Sequence, residues 1–251
     1  MRLDRYLVEH GLTVSRAKAQ EMIRLGAVKV DGKTISKSSL EVSEDASVLL
    51  EENPLQRYVG RGGLKLEAAL HAFDLSPDGC VALDIGASSG GFTDCLLQHG
   101  ARLVYAVDSG VGQLHPRLLS NARVVSMEKY NARYLSPLDF AATPEFAVMD
   151  VSFISQKLIL PALRQTMTEG GLLVSLIKPQ FELGRAALGK DGVVKSERLA
   201  RAAADDVCAF AGTLGFSLIG KMSSPIHGGD GNLEFLAAFS LTPLVPRDTK
   251  G

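Results

Sequence analysis

Cysteine is scarce: Cys80, Cys95 and Cys208 are the only three in 251 residues, far apart and without a C-x-x-C pair. That pattern argues against a disulfide framework or a thiolate metal site and fits a reducing cytoplasm. Apolar runs are short. The longest, such as LLVSLI at 172–177, fall far below the ~20 residues of a membrane span. No basic stretch followed by an apolar one opens the chain, so a cytoplasmic protein without a secretory leader is expected. Also absent are the G-x-G-x-x-G spacing that seats a dinucleotide pyrophosphate and the G-x-x-x-x-G-K-[ST] loop that cradles ATP. Net charge is nearly absent too, at −1, while a hydrophobic content of 46% is ordinary for a globular chain.

The charge is unevenly spread. Residues 1–37 hold eight Lys or Arg against four Asp or Glu, residues 38–53 hold five acids and no base, and the remainder balances. A small basic unit therefore precedes a large neutral one, a pattern that points to a polyanionic partner. Within the small unit, RLDRYLVEHG predicts a helix stopped at Gly11, and Ser15 is placed to cap a second helix that ends at Gly26. VKVDGKTI alternates about Asp31-Gly32, a tight-hairpin signature, and ASVLLEE supplies a last strand before Asn53-Pro54.

The string from Arg2 to Lys33 resembles an S4 domain, a small RNA-binding module. The resemblance implies an RNA-facing surface of Arg2, Arg5, Ser15, Arg16, Lys18, Arg24 and Lys29. Arg16 and Lys18 follow a helix N-terminus, where backbone amides and cations can share a phosphate. The competing reading has Arg2 and Arg24 merely salt-bridging Asp4 and Glu21.

From residue 57 the pattern changes to strands alternating with helices. VALDI (81–85), RLVYAVD (102–108), RVVS (123–126), EFAVMD (145–150) and LLVSLIK (172–178) read as buried strands. GFTDCLLQHG between the first two reads as a helix, and Ser196 caps a long one striped by Leu199, Ala203, Val207, Phe210 and Leu214. Two late strands, FSLIGK and LEFLAAFSL, close the pattern. Such alternation predicts an α/β fold with a mostly parallel sheet covered on both faces, ligands binding beyond the strands' carboxyl ends. Asp84, Gly86, Asp108, Asp150 and Lys178 stand at those ends, Asp108 twenty-two residues after Gly86 in the usual place for a ribose-binding carboxylate.

The turn in ALDIGASSGGFTD therefore has glycines at the wrong spacing for a pyrophosphate and an acid beside it. A phosphate-free, cationic nucleoside suits it better. The stretch resembles the first motif of S-adenosylmethionine-dependent methyltransferases, in the variant where GGF or GGW opens the helix. Lys65 in GRGGLKLEAAL, Asp150 in VMDVSFIS, Lys178 in SLIKPQFELG and Glu234 in SPIHGGDGNLEFL resemble, in this order, the catalytic tetrad of RrmJ/FtsJ-type RNA 2′-O-methyltransferases. With the S4 module in front, residues 1 to about 240 resemble the TlyA family, ribosomal RNA cytidine 2′-O-methyltransferases often labelled hemolysins.

That resemblance implies a Rossmann-like methyltransferase domain at 61–243, an S4 domain at 1–53, a linker at 54–60 and a tail at 244–251. It makes Lys178 the base, Lys65 a source of positive potential, and Asp150 and Glu234 the groups that orient them. A ribose hydroxyl must be oriented and deprotonated, and a lysine serves as base only when neutral. Its free pKa of ~10.4 is lowered by burial and by a second lysine, and raised by the acids. For S-adenosylmethionine the resemblance implies Asp84, Gly86, Ser88, Gly90, Gly91 and Phe92 at the methionine end, Asp108 at the ribose, Glu128 and Asn131 at the adenine edge, and Asp150 shared with catalysis. The implied partner is ribosomal RNA or a ribosomal subunit, the large one favoured, with no metal and no membrane. Two rivals are a cytolysin, which the apolar runs do not support, and a catalytically silent RNA-binding assembly factor. Residues 184–197, with Arg185, Lys190 and Lys195, read equally as a flap over RNA and as an inert surface loop.

Overall fold

The computed structural model describes residues 1–24, 27–50, 57–226 and 231–242, and the chain divides into two compact units between Arg57 and Tyr58. The expected helix stop at Gly26, the Asn53-Pro54 boundary and the 244–251 tail lie outside the described residues.

In the first unit, helix α1 (Leu3–Glu9) gives way at Gly11, whose φ of +68° favours glycine. The Ser15 hydroxyl accepts the Lys18 N–H at 3.2 Å and starts helix α2 (Arg16–Arg24). Strands β1 (Val28–Val30) and β2 (Lys33–Thr34) form the predicted hairpin, with Asp31 and Gly32 both at positive φ, as a type I′ turn requires. Asp31 also accepts the Ser47 N–H at 3.0 Å, which sets strand β3 (Val48–Leu50) on the other edge of β1. Leu3, Leu7, Ile23 and Val28 are fully buried beneath the helices. The small core is made almost wholly of aliphatic side chains spaced at helical and strand periods.

The second unit begins at Tyr58, four residues before its first helix. Tyr58 is buried and the Val59 N–H donates to Asp94 at 2.8 Å, so residues 58–60, inside the stretch read as a linker, are packed here. Helix α3 (Gly62–Ala72) leads into strand β4 (Val81–Ile85), helix α4 (Gly91–Gln98), strand β5 (Leu103–Val107), short helix α5 (Pro116–Leu119) and strand β6 (Val124–Met127). Strand β7 (Phe146–Met149), helix α6 (Leu160–Thr166), strand β8 (Leu172–Ile177) and short helix α7 (Pro179–Glu182) follow. Helix α8 (Glu197–Thr213) and strands β9 (Phe216–Ser223) and β10 (Phe235–Leu241) complete it.

The seven strands lie in the order β6-β5-β4-β7-β8-β10-β9, and β10 runs antiparallel between β8 and β9. Alternate side chains fill two cores. Leu83, Ile85, Met149, Leu173 and Ile177 face α6 and α8; Ala82, Val104, Val148, Val174 and Leu236 face α3 and α4. Ser196 caps α8 as expected, its hydroxyl accepting the Leu199 N–H. The buried stripe differs from the one read in sequence: Ala200, Ala203, Ala204, Val207, Cys208 and Ala211 face the sheet, while Leu199, Phe210 and Leu214 flank it, only partly covered. Alanines let the helix approach the sheet closely, and the larger residues fill the margins.

Candidate active site

Four chain segments meet at the carboxyl edge of this sheet because the parallel strands β4, β5, β7 and β8 all end there. The antiparallel β10 starts there: Phe235 pairs with Ile177, so Glu234 falls beside the strand position of Lys178. The switch point between β4 and β7 opens two adjoining cavities.

The turn after β4 is held in one shape. Gly86 has φ +84°, and a Cβ there would stand 2.4 Å from the Asp150 carbonyl oxygen. Ser88 is at φ +49° despite its side chain. Asp108 accounts for that geometry: its carboxylate accepts the Ser88 N–H and the Gly110 N–H, each at 2.7 Å, and so ties the β4 turn to the β5 turn. Gly90, at φ +94°, opens α4 where a Cβ would run into Leu118, and a Cβ on Gly91 would press on the Gly60 carbonyl oxygen at 3.1 Å. Asp84 sits beneath this turn, fully buried. One of its oxygens accepts the Thr93 hydroxyl at 2.6 Å, and the other has no hydrogen-bond partner. Burial, then the nearby Asp150 and Asp108, push its carboxyl up to about 7, against the Thr93 hydrogen bond.

The larger cavity, about 380 Å³, is lined by the β4 turn, Asp108, Asn131, Asp150, Phe153 and apolar side chains such as Val107, Ile154 and Ile159. Among the described residues, no Lys, Arg or His lines it. The smaller, about 190 Å³, shares Gly86, Ser88, Asp150 and Ser152 with it and adds Gly60, Arg61, Gly62, Phe92 and Lys178. Gly62 needs its bareness: a Cβ would approach Phe92 at 3.3 Å and Asp150 at 4.0 Å.

Lys178 stands between Asp150, at 2.6 Å, and the Ser152 hydroxyl, which accepts its ammonium at 2.9 Å. Ser152 takes one of the three ammonium donors, while Asp150 pairs with the charge without an aligned hydrogen bond, its facing oxygen being buried and otherwise unpartnered. Glu182, one turn beyond Lys178, accepts the Ser155 hydroxyl at 2.5 Å and the Gln156 N–H at 2.8 Å, bracing the two strand-end loops against each other. Lys65 and Glu234, 169 residues apart in sequence, form an ion pair whose side chains are 11% and 4% exposed. Burial of both partners marks a pair that cannot lose one member cheaply.

The expected site residues therefore divide. Gly86, Ser88, Asp108, Asn131 and Asp150 line the larger cavity; Gly91, Phe92 and Lys178 line the smaller. Asp84 and Gly90 line neither and act through the shape of the turn. Glu128 is turned away from the larger cavity: its carboxylate accepts the Gly112 N–H at 2.7 Å and borders a minor hollow behind Asp108. Two residues escaped the sequence reading. Ser152 holds Lys178. Phe153 is 91% exposed at the cavity mouth, with φ +64° and its ring 5.0 Å from that of Phe181. A bulky residue in that backbone region is a marked outlier. Nothing in a lone Phe after VMDVS separates it from a core residue. The 184–197 segment is tied down: Leu188 bridges to Val194, whose N–H donates to the buried Asn232 at 3.0 Å, and Lys195 donates to the Ala186 carbonyl oxygen at 2.9 Å.

In the first unit, Arg2, Arg16 and Gln20 converge on the buried Asp4 carboxylate at 2.8–3.1 Å. Their hydrogen bonds, that of Arg2 first, hold Asp4 well below the usual carboxylate range. The competing salt-bridge reading is thus correct for Arg2, yet the Arg2 and Arg16 side chains remain 45% and 58% exposed around one acid. Arg5 pairs with Glu9 at 2.6 Å, Ser15 is occupied as a helix cap, and the Arg24 side chain lies outside the described residues. Lys18 follows the Ser15 cap in α2, and Lys29 lies in β1.

Comparisons with known proteins agree with this architecture. Residues 58–241 match the FtsJ-like methyltransferase family and residues 1–48 the S4 domain. A Bacillus subtilis protein provisionally named rRNA methyltransferase YqxC is 46% identical over 94% of this chain and 84% of its own length. The 16S/23S rRNA (cytidine-2′-O)-methyltransferase TlyA of Mycobacterium tuberculosis is 39% identical over 93% of this chain and 87% of its own. A solved structure from Streptococcus thermophilus, provisionally labelled a hemolysin, superposes with a TM-score of 0.75 at 45% identity, covering 96% of this chain and 88% of that one. Among the described residues no helix is long and apolar enough to cross a membrane.

Proposed function

The chain belongs to the FtsJ-like methyltransferase family, with an S4 domain in front, and from that premise we propose that it methylates the ribose 2′-hydroxyl of a cytidine in ribosomal RNA. The donor in this reading is S-adenosylmethionine and the base is Lys178. One observation carries it: a nucleoside-sized cavity, lined among the described residues by two carboxylates and no basic side chain, adjoins a second cavity in which a lysine is oriented by an acid and a hydroxyl.

The lining chemistry fits the cofactor. A phosphate would call for cations or a suitably spaced glycine nest, and the described lining of the larger cavity offers neither. A cationic sulfonium with a neutral nucleoside suits Asp108 and Asp150, an apolar wall for a base, and Asn131 at its edge. Bound S-adenosylmethionine supplies an electrophilic methyl group. The protein's share is then positioning and proton handling. Asp108, already receiving two backbone N–H groups on its inner side, presents its remaining lone pairs to ribose hydroxyls. Lys178, steered by Asp150 and Ser152, first gives up its own ammonium proton to solvent and then takes the proton of the substrate hydroxyl as the methyl group bonds to that oxygen. Lys65, fixed by Glu234, adds positive potential at the same sheet edge. Phe153, leaning on Phe181, gives the target base an aromatic face beside Asp150, where stacking contributes roughly 1–3 kcal/mol. In the S4 domain, Arg2 and Arg16, prearranged on Asp4, present exposed guanidinium planes suited to phosphate oxygens.

The test is transfer of labelled methyl groups from S-adenosylmethionine to isolated small and large ribosomal subunits, offered separately because the Mycobacterium tuberculosis relative is named for both RNAs. The acceptor atom is then mapped by mass spectrometry. Wild-type protein is expected to label a cytidine 2′-oxygen. Lys178→Ala should lower the rate ~10²–10⁴-fold, the range of general base catalysis, while leaving cofactor affinity nearly intact. A methyl group found on a base, or full activity in Lys178→Ala, refutes the assignment.

A further inference from the structure

A second cluster lies on α3 and α4, away from the reacting edge. Glu67 and His71 are four residues apart on α3, one turn separating them on a single face, and His99 caps the C-terminus of α4. One ligand atom from each of Glu67, His71 and His99 lies within 4.8 Å of the other two. Lys65, two residues before Glu67, points ~200° around the helix and pairs with Glu234 instead, so the two groups serve separate places.

We propose that Glu67, His71 and His99 bind one divalent transition-metal ion, zinc by its chemistry, that clamps the C-terminal end of α3 to that of α4. Three features carry it. First, two imidazoles and a carboxylate are a borderline set that suits zinc and not calcium or magnesium, which take oxygen ligands only. Second, His99 is oriented for it. Its Nδ1 lies 2.9 Å from the Cys95 carbonyl oxygen, so Nδ1–H donates there and the lone pair is left on Nε2. Histidine ligands are characteristically fixed by such a backbone hydrogen bond on the other ring nitrogen. Third, the two rings already meet edge to face, with centroids 6.4 Å apart at 77°, as imidazoles sharing an ion do. Zinc bonds of ~2.0–2.1 Å place tetrahedral ligands ~3.4 Å apart, within ~1.5 Å of the separations of at most 4.8 Å already present. His71 is exposed and the other two are half-exposed, which leaves the fourth position to water.

Clamping these two ends matters to the site because the opposite ends of the same helices frame the smaller cavity, through Gly62 on α3 and Gly91 on α4. The ion would steady that frame without touching substrate.

Full-length protein stripped with a chelator is titrated with zinc against a chromophoric competitor, with metal content measured after dialysis. One equivalent is expected for wild type. Affinity should fall at least ~100-fold in His71→Ala and in the near-isosteric Glu67→Gln. Zinc at ~100 times its Kd should raise wild-type Tm by ~5–10 °C and leave both variants unmoved. Cobalt(II) bound to wild type should show tetrahedral or five-coordinate ligand-field bands without a thiolate charge-transfer band, a readout that needs no variant. Absence of zinc binding by wild type overturns the proposal. So does binding that survives both substitutions, or a thiolate band, which would move the site to a cysteine.

Discussion

Replacing Asp84 with asparagine should change how stability depends on pH more than it changes stability at any single pH. Asp84 is fully buried, keeps one oxygen unpartnered, and titrates at about 7 against an ordinary 3.8, burial being the main cause. Because the folded state holds this proton more tightly than the unfolded chain, the folded form binds more protons between pH 4 and pH 7. Stability therefore falls as pH rises through that window and is flat above it. Three pH units at 1.36 kcal/mol each give about 4 kcal/mol as the full excursion. The amide side chain of the Asp84→Asn variant still accepts the Thr93 hydroxyl and carries no charge, so it lacks the excursion. Urea denaturation of the apo protein at pH 5 and at pH 8 measures it. The stability of Asp84→Asn minus that of wild type should increase by ~2–3 kcal/mol from the lower to the higher pH, since about two of the three units lie between them, or ~4–12 °C in Tm at this size. A difference that stays constant between the two pH values would show that Asp84 does not carry the proton linkage and would sink the reasoning.

Glu234→Gln should destabilise by ~3–5 kcal/mol, because Lys65 is left buried without its counter-charge, whereas Lys65→Met with Glu234→Leu should fold near wild-type stability and remain inactive; urea curves and the methyl-transfer assay separate the two. Gly86→Ala places a Cβ 2.4 Å from the Asp150 carbonyl oxygen at φ +84° and should cost more than ~2 kcal/mol and abolish S-adenosylmethionine binding by calorimetry. Phe153→Gly relieves the positive φ, so Tm should hold or rise while the KM for RNA rises ~10–100-fold; an unchanged KM would remove Phe153 from the RNA path.

Much of the fold was legible because its signals are local. The apolar runs gave the strands to within two residues, Ser15 and Ser196 announced their helices through hydroxyl caps, and Asp31-Gly32 announced a turn that demands positive φ. Strand order was not legible, since β10 lodges between β8 and β9 by pairing that no local pattern encodes. Gly86, Asp108, Asp150 and Lys178 could be placed together along the cavities in advance because strand ends are predictable. Side-chain directions set by rotamer could not be placed in this way. Glu128 sits one residue past its strand, yet its carboxylate turns to Gly112; Arg16 leans on Asp4 across twelve residues of chain. Glu67, His71 and His99 are ordinary residues until two helices lie side by side.

The antiparallel strand has a consequence in time. Until β10 arrives, β8 exposes a bare edge and Lys65 has no counter-charge, because Glu234 travels on the last strand of the sheet to be synthesised. Long-range pairings of this kind form late. A nascent chain can therefore carry a folded S4 domain and most of the sheet while its reaction centre is still incomplete. In the proposed reading, competence therefore comes only once β10 has joined the sheet and brought Glu234 to Lys65.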